Sequence, residues 1–198
     1  MTVHEVRVEV TPLQTEGMRD VLGDVVQRQL FADHGIDVGK VRSIRGYLIR
    51  SEYDADAIEP RVQDIFSDPI IEHGATNTSL LNDKTFFPVP PSLTVTVGFK
   101  PGVTDNPGAA ANDGFKVLFP EGESAISTYI SYAFLNLSES IDHEWLASTL
   151  FNGLIEKSIL TTSRELESGQ ATTLSYPERP SICRLYTSDA ADDDRSVD

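Results

Sequence analysis

Leu93-Thr94-Val95-Thr96-Val97-Gly98-Phe99-Lys100-Pro101-Gly102-Val103-Thr104-Asp105-Asn106-Pro107-Gly108 runs from a strand through a turn into the first residues of a helix. Its strand has an earlier counterpart. Val6, Val8, Val10 and Pro12 match Val95, Val97, Phe99 and Pro101 at a spacing of 89 residues, the signature of an internal duplication.

In the first half, Val6, Val8 and Val10 alternate with Glu5, Arg7 and Glu9, as in a strand with one buried face. Met18, Val21, Leu22, Val25 and Leu30 recur at helical spacing, and Gly35 stands where a left-handed cap would end the helix, so residues 16–34 are expected to be helical. Residues 38–51, rich in β-branched and aromatic side chains around Gly46, form one long bent strand or a hairpin. Ile58, Val62, Ile65 and Phe66 describe a second helix, with Pro60 in its first turn, and Ile70-Ile71 is expected to close the unit as a strand.

The second half repeats this order: strand 93–99, helix 107–119, strand 125–137, helix 141–151, strand 154–161. Tyr47 matches Tyr132 and Phe66 matches Phe151 at a spacing of 85, and Ile71-Glu72 matches Ile155-Glu156 at 84. The expected fold class is α+β: two tandem βαββαβ-type units, antiparallel sheets with helices on one face, related by a pseudo-twofold axis. Units this small bury too little apolar surface to stand comfortably alone and should pack together. The expected division is 1–82 for the first unit, 83–91 for a linker, 92–168 for the second unit and 169–198 for a following linker and tail. Phe86 and Phe87 should pin the proline-rich linker to the body.

The chain has 198 residues, 39% of them hydrophobic, and no apolar run long enough to span a bilayer or serve as a secretory signal, so a cytoplasmic location is expected. Thirty-one acids against 16 bases give a net charge of −15, which disfavours binding to nucleic-acid phosphates. Residues 188–198 hold five aspartates and one arginine, which leaves −11 for the remainder. One cysteine, Cys183, provides neither an internal disulfide nor a metal cluster.

No Walker or Rossmann glycine loop, paired-cysteine zinc spacing or nucleophile elbow is present. His4, His34, His73 and His143 are scattered without ligand spacing and are expected on the surface or at caps. Asp105-Asn106-Pro107-Gly108 fits a helix start, with Asp or Asn as cap, Pro in the first turn and Gly allowing close backbone approach; an anion site at that helix end is the functional alternative, with Lys100 the nearby cation. Tyr47 and Tyr132 are expected as symmetric core or interface residues, and Glu72 and Glu156 as strand-edge charges. No catalytic, cofactor-binding or metal-binding residue is assigned.

The turn Phe99 to Gly108, the strand before it and Phe66-Ser67-Asp68-Pro69-Ile70-Ile71-Glu72 resemble the small PurS-type subunit of phosphoribosylformylglycinamidine synthase. Two such units in tandem resemble the N-terminal region of the large, single-chain form of that enzyme over residues 3–166. The match is imperfect: the first copy has Pro12-Leu13-Gln14 in place of the Pro-Gly-Val turn, and the second has Phe151-Asn152-Gly153-Leu154 where the first keeps Asp68-Pro69. The resemblance implies a fragment of a carbon–nitrogen ligase of purine biosynthesis. The enzyme converts formylglycinamide ribonucleotide (FGAR), glutamine and ATP to formylglycinamidine ribonucleotide (FGAM). It implies a segment that helps assemble the synthetase and glutaminase domains and shape the ammonia passage between them. ATP and magnesium are implied for domains absent from this chain, so the segment alone should not be catalytic.

Two alternatives stand beside this: a freestanding double-PurS adaptor for separate synthetase and glutaminase subunits, and an ACT-like module sensing a small ligand between its two units. From Cys183 to Asp193 the sequence resembles translated sequencing-adapter read-through, and residues 181–198 are therefore set apart from fold reasoning.

Overall fold

Residues 2–15, 17–170 and 174–177 are described by the structure, a computed structural model. The strands are β1 (His4–Pro12), β2 (Val41–Ser51), β3 (Glu72–Thr76), β4 (Leu93–Phe99), β5 (Ala125–Phe134) and β6 (Glu156–Thr162). They form one antiparallel sheet in the order β3-β1-β2-β5-β4-β6. The helices are α1 (Val21–His34), α2 (Ala55–Ile58), α3 (Val62–Ile65), α4 (Asn106–Leu118), α5 (His143–Ser148) and α6 (Ser163–Glu167). The fold is thus α+β. The expected βαββαβ order is corrected: β2 is a single eleven-residue strand and not a hairpin, so each half contributes three strands to one shared sheet.

Strand alternation divides the sheet into two faces. Val6, Val8 and Val10 of β1, Ile49 of β2 and Ile126 of β5 face the helices and pack with Ile58, Val62, Phe66, Phe115 and Phe119. On the same face, Val41, Leu93, Val95, Val97 and Phe134 pack with Val26, Leu30, Leu146 and Ala147. Each long helix therefore serves the cluster built largely by the other half: α4 and its C-cap supply Phe115 and Phe119 to the first, and α1 supplies Val26 and Leu30 to the second. The opposite face is covered in part by the connection between halves, where Leu80, Phe86 and Phe87 are buried with Ile44 and Ala133. Arg42 lies 5.5 Å from the Phe87 ring, and its guanidinium donates to the Pro12 carbonyl at 2.8 Å.

Several expected boundaries move for local reasons. α1 begins at Val21 and not at residue 16, because Asp20 takes extended backbone and its carboxylate caps the Gly23 N–H at 2.8 Å. Its end is as the sequence requires, with Gly35 at φ 68° and its N–H on the Phe31 carbonyl. The helix around Pro60 starts earlier, at Ala55, which places Pro60 in mid-run; the backbone tightens there into a 3-10 turn, Glu59–Arg61, that separates α2 from α3. Ile70 and Ile71 are turn residues, with Ile70 75% exposed, and the strand starts at Glu72. Leu154 is likewise a turn residue, 86% exposed, before β6. Helix 141–151 shortens to α5.

The strand match at 89 residues is also corrected. Val10 pairs with Arg45 and Val97 with Ile130, while Arg45 and Ile130 face each other across the central pair β2–β5. The outer strands agree, since Val10 pairs with Gly74 and Val97 with Ser158. Val10 therefore corresponds in position to Val97, 87 residues later, and Val6 to Leu93. A two-residue slip keeps every side chain on its own face, so alternation alone could not reveal it.

Candidate functional site

Asp105 and Asp20 show how the sheet and the long helices are joined. Asp105 caps α4, accepting the Gly108 N–H at 2.6 Å, and its carboxylate also accepts the Thr128 N–H at 2.6 Å and the Thr128 hydroxyl at 2.9 Å. Asp20 accepts the Gly23 N–H, the Ser43 N–H at 2.6 Å and the Ser43 hydroxyl at 2.7 Å. The two sets of bonds lie 85 residues apart. The glycines have one purpose: a Cβ on Gly108 would sit 2.6 Å from the Ile126 carbonyl oxygen, and one on Gly23 would sit 2.3 Å from that of Val41. The Asp105 turn is thus closed around its own carboxylate, with the Gly108 N–H already bonded to it. Lys100 directs its ammonium elsewhere, to the Gly153 carbonyl.

Glu72 and Glu156 open the two edge strands and also recur in bonding. Glu72 accepts the Asp68 N–H at 3.1 Å while Asp68 accepts that of Ile70; Glu156 accepts the Asn152 N–H at 2.7 Å while Asn152 accepts that of Leu154. These acids lock the turns that carry the exposed Ile70 and Leu154. They differ in one respect: Arg45 reaches Glu72 at 2.5 Å, whereas Glu156 makes no ion pair among the described residues.

Between the halves, on the helix face, lies a cavity of about 500 Å³. Arg45, Tyr47 and Tyr132 reach it from the central strands, Glu156 from the edge, and Val97, Phe99, Ala111 and Leu150 contribute apolar wall. Tyr47 and Tyr132 are half-buried. Burial raises both phenols above their ordinary pKa. For Tyr47 the Arg45 charge opposes this and the Glu72 charge reinforces it; for Tyr132 Glu156 and Asp20 reinforce it. At neutral pH both are hydroxyl groups able to donate or accept. The site offers an apolar container, two phenols, one neutralised arginine and one acid that pairs with no cation among the described residues.

The histidines are not brought together. His34 meets the edge of Trp145 at 5.1 Å, His73 stacks on Phe86 at 4.9 Å, His4 opens β1 and His143 opens α5. Among the described residues no group of three or more His, Cys, Asp or Glu side chains is placed to hold a metal ion. Cys183 lies outside the described residues, as does the stretch resembling adapter read-through. No described helix is long and apolar enough to cross a membrane.

The chain matches no family model, and no curated protein matches it at a significant level.

One cluster escaped sequence reasoning. Glu9, expected to face solvent between the valines, is only 5% exposed. On the face away from the helices, Glu9, Gly46, Tyr129 and Gly98 are paired in one row across four strands. The Tyr129 ring lies flat over Gly46, where a Cβ would come 1.9 Å from Cζ, and its hydroxyl donates to Glu9 at 2.8 Å. Glu9 also accepts the Leu80 N–H at 2.7 Å and lies 3.7 Å from Arg7 Nε. Burial, with the Glu9 charge and hydrogen bond, holds the Tyr129 phenol well above its ordinary pKa. The available signal was Gly46, since an isolated glycine inside a strand marks a close approach.

Proposed function

We propose that this chain is the N-terminal, PurS-like assembly region of a large-type phosphoribosylformylglycinamidine synthase, two diverged copies of one unit related by a pseudo-twofold axis. Its role is to hold the synthetase and glutaminase domains of that cytoplasmic, glutamine-dependent ligase in register and to help shape the ammonia passage between them. It carries none of the chemistry of FGAM formation itself; ATP and magnesium act in the enzyme's other domains.

The observation that carries the duplicated part of this reading is the recurrence of whole bonding sets. Asp20 with Gly23 and Ser43 recurs as Asp105 with Gly108 and Thr128, and the Glu72 turn recurs as the Glu156 turn. The facing of Arg45 and Ile130, themselves 85 apart, is what a twofold axis between β2 and β5 requires. Support for the enzyme comes from the sequence resemblance, whose motif Asp105 to Gly108 fits a helix start.

The test is complementation in solution. A large-type synthase lacking its own N-terminal region should regain glutamine-dependent FGAM formation when this chain is added, and the two should co-elute on gel filtration. Absence of both co-elution and restored activity would overturn the assignment.

A further inference from the structure

The two halves place the same acid beside differently filled surroundings. In the first, Glu72 is bound by the guanidinium of Arg45, which rises from β2. In the second, the residue 85 positions after Arg45 is Ile130, and Glu156, 84 positions after Glu72, is paired with no guanidinium among the described residues. One carboxylate oxygen of Glu156 accepts the Asn152 N–H, and no described residue donates to the other. Lys100 is adjacent in the chain to Phe99, which pairs with Glu156, but its ammonium is held by the Gly153 carbonyl. The half-buried acid lines the 500 Å³ cavity, with the Tyr132 phenol beside it and Val97, Phe99, Ile130 and Leu150 around it.

We propose that this cavity binds a small organic cation, an ammonium or guanidinium carried on an apolar body. Its charged head sits on Glu156 as the Arg45 guanidinium sits on Glu72, and its body fills the space between the halves. The acid supplies a charge-assisted hydrogen bond, Tyr132 supplies a phenolic oxygen, and the apolar walls reward the body for leaving water. The chain's net charge of −15 favours the approach of a cation. This site stands independently of the assembly role proposed above.

Calorimetry on the full chain at low ionic strength tests it, with phenethylammonium and agmatine as probes and phenethyl alcohol as the uncharged counterpart. The expected result is saturable binding of at least one cation at one site per chain, with the alcohol weaker by about tenfold or more, the factor that a hydrogen bond to a charged group supplies. Glu156→Gln, isosteric and checked for native circular dichroism, should weaken the cation by about the same factor, whereas Glu139→Gln, at an exposed acid outside the cavity lining, should leave it within about twofold. Ile130→Arg, which gives the second half the internal guanidinium of the first, should abolish binding. No binding of either cation, equal binding of phenethylammonium and the alcohol, or full affinity in Glu156→Gln would each overturn the proposal.

Discussion

Glu9 occupies a position at which an acid is costly unless it is fully bonded. Burial makes the Tyr129 hydroxyl, the Leu80 N–H and the nearby Arg7 its substitutes for water. Tyr129→Phe removes the phenolic donor and nothing else, and hydrogen bonds to buried charges are worth about 1.5–3 kcal/mol, so that loss is expected in urea unfolding. A loss within about 0.5 kcal/mol would mean that Glu9 is hydrated and the bond idle. Gly46 is the seat of the same ring, so Gly46→Ala should cost about 1–3 kcal/mol by overpacking. In a Tyr129→Ala background the same substitution should cost less than about 1 kcal/mol, since the obstruction is gone. Glu9 was illegible in the sequence because alternation assigns a residue to a face without saying what covers that face. Here Tyr129 and the Leu80 segment, 120 and 71 residues away, supply the cover.

At the scale of elements, Asp20 and Asp105 each join a helix N-terminus to the neighbouring central strand. An N-cap replaced by alanine costs about 0.5–2 kcal/mol, and a buried strand N–H left without its acceptor costs about 1–3 more. Asp20→Ala and Asp105→Ala are therefore expected to lose about 2–4 kcal/mol each in denaturant unfolding, with the Asn variants in between because they keep one acceptor oxygen. A cost near 0.5 kcal/mol at either position would reduce that aspartate to an ordinary surface cap. Asp105 was legible because Pro107 and Gly108 mark the helix start; Asp20 was hidden by Met18, which extended the apolar period backwards past the true cap. Strands β1, β2, β4 and β5 were legible from β-branched alternation. Edge strand β3 was misplaced, and β6 was begun two residues early, because their apolar neighbours, Ile70-Ile71 and Leu154-Ile155, are turn tips. A short apolar run cannot tell a strand from an exposed turn.

At the scale of the whole molecule, the crossing of the long helices decides how the chain unfolds. Residues 1–82 alone would leave Val6, Val8 and Val10 without Phe115, Phe119 and Ile126, and would leave Val26 and Leu30 of α1 facing water in place of Leu93, Val95 and Phe134. Each half thus lacks the partner that completes its own core, which predicts a single cooperative unit. Trp145, the one tryptophan of the chain, reports on the second cluster and touches His34 of α1, whereas far-ultraviolet circular dichroism reports on both halves. In urea the two signals should trace one transition with the same midpoint. A separately made 1–82 segment should show no sigmoidal unfolding, because the area it could bury falls below what so short a chain needs. Separate midpoints for fluorescence and dichroism, or a cooperatively folding 1–82, would show that the shared sheet joins two independent bodies. The interlocking would then be contact without mutual stabilisation.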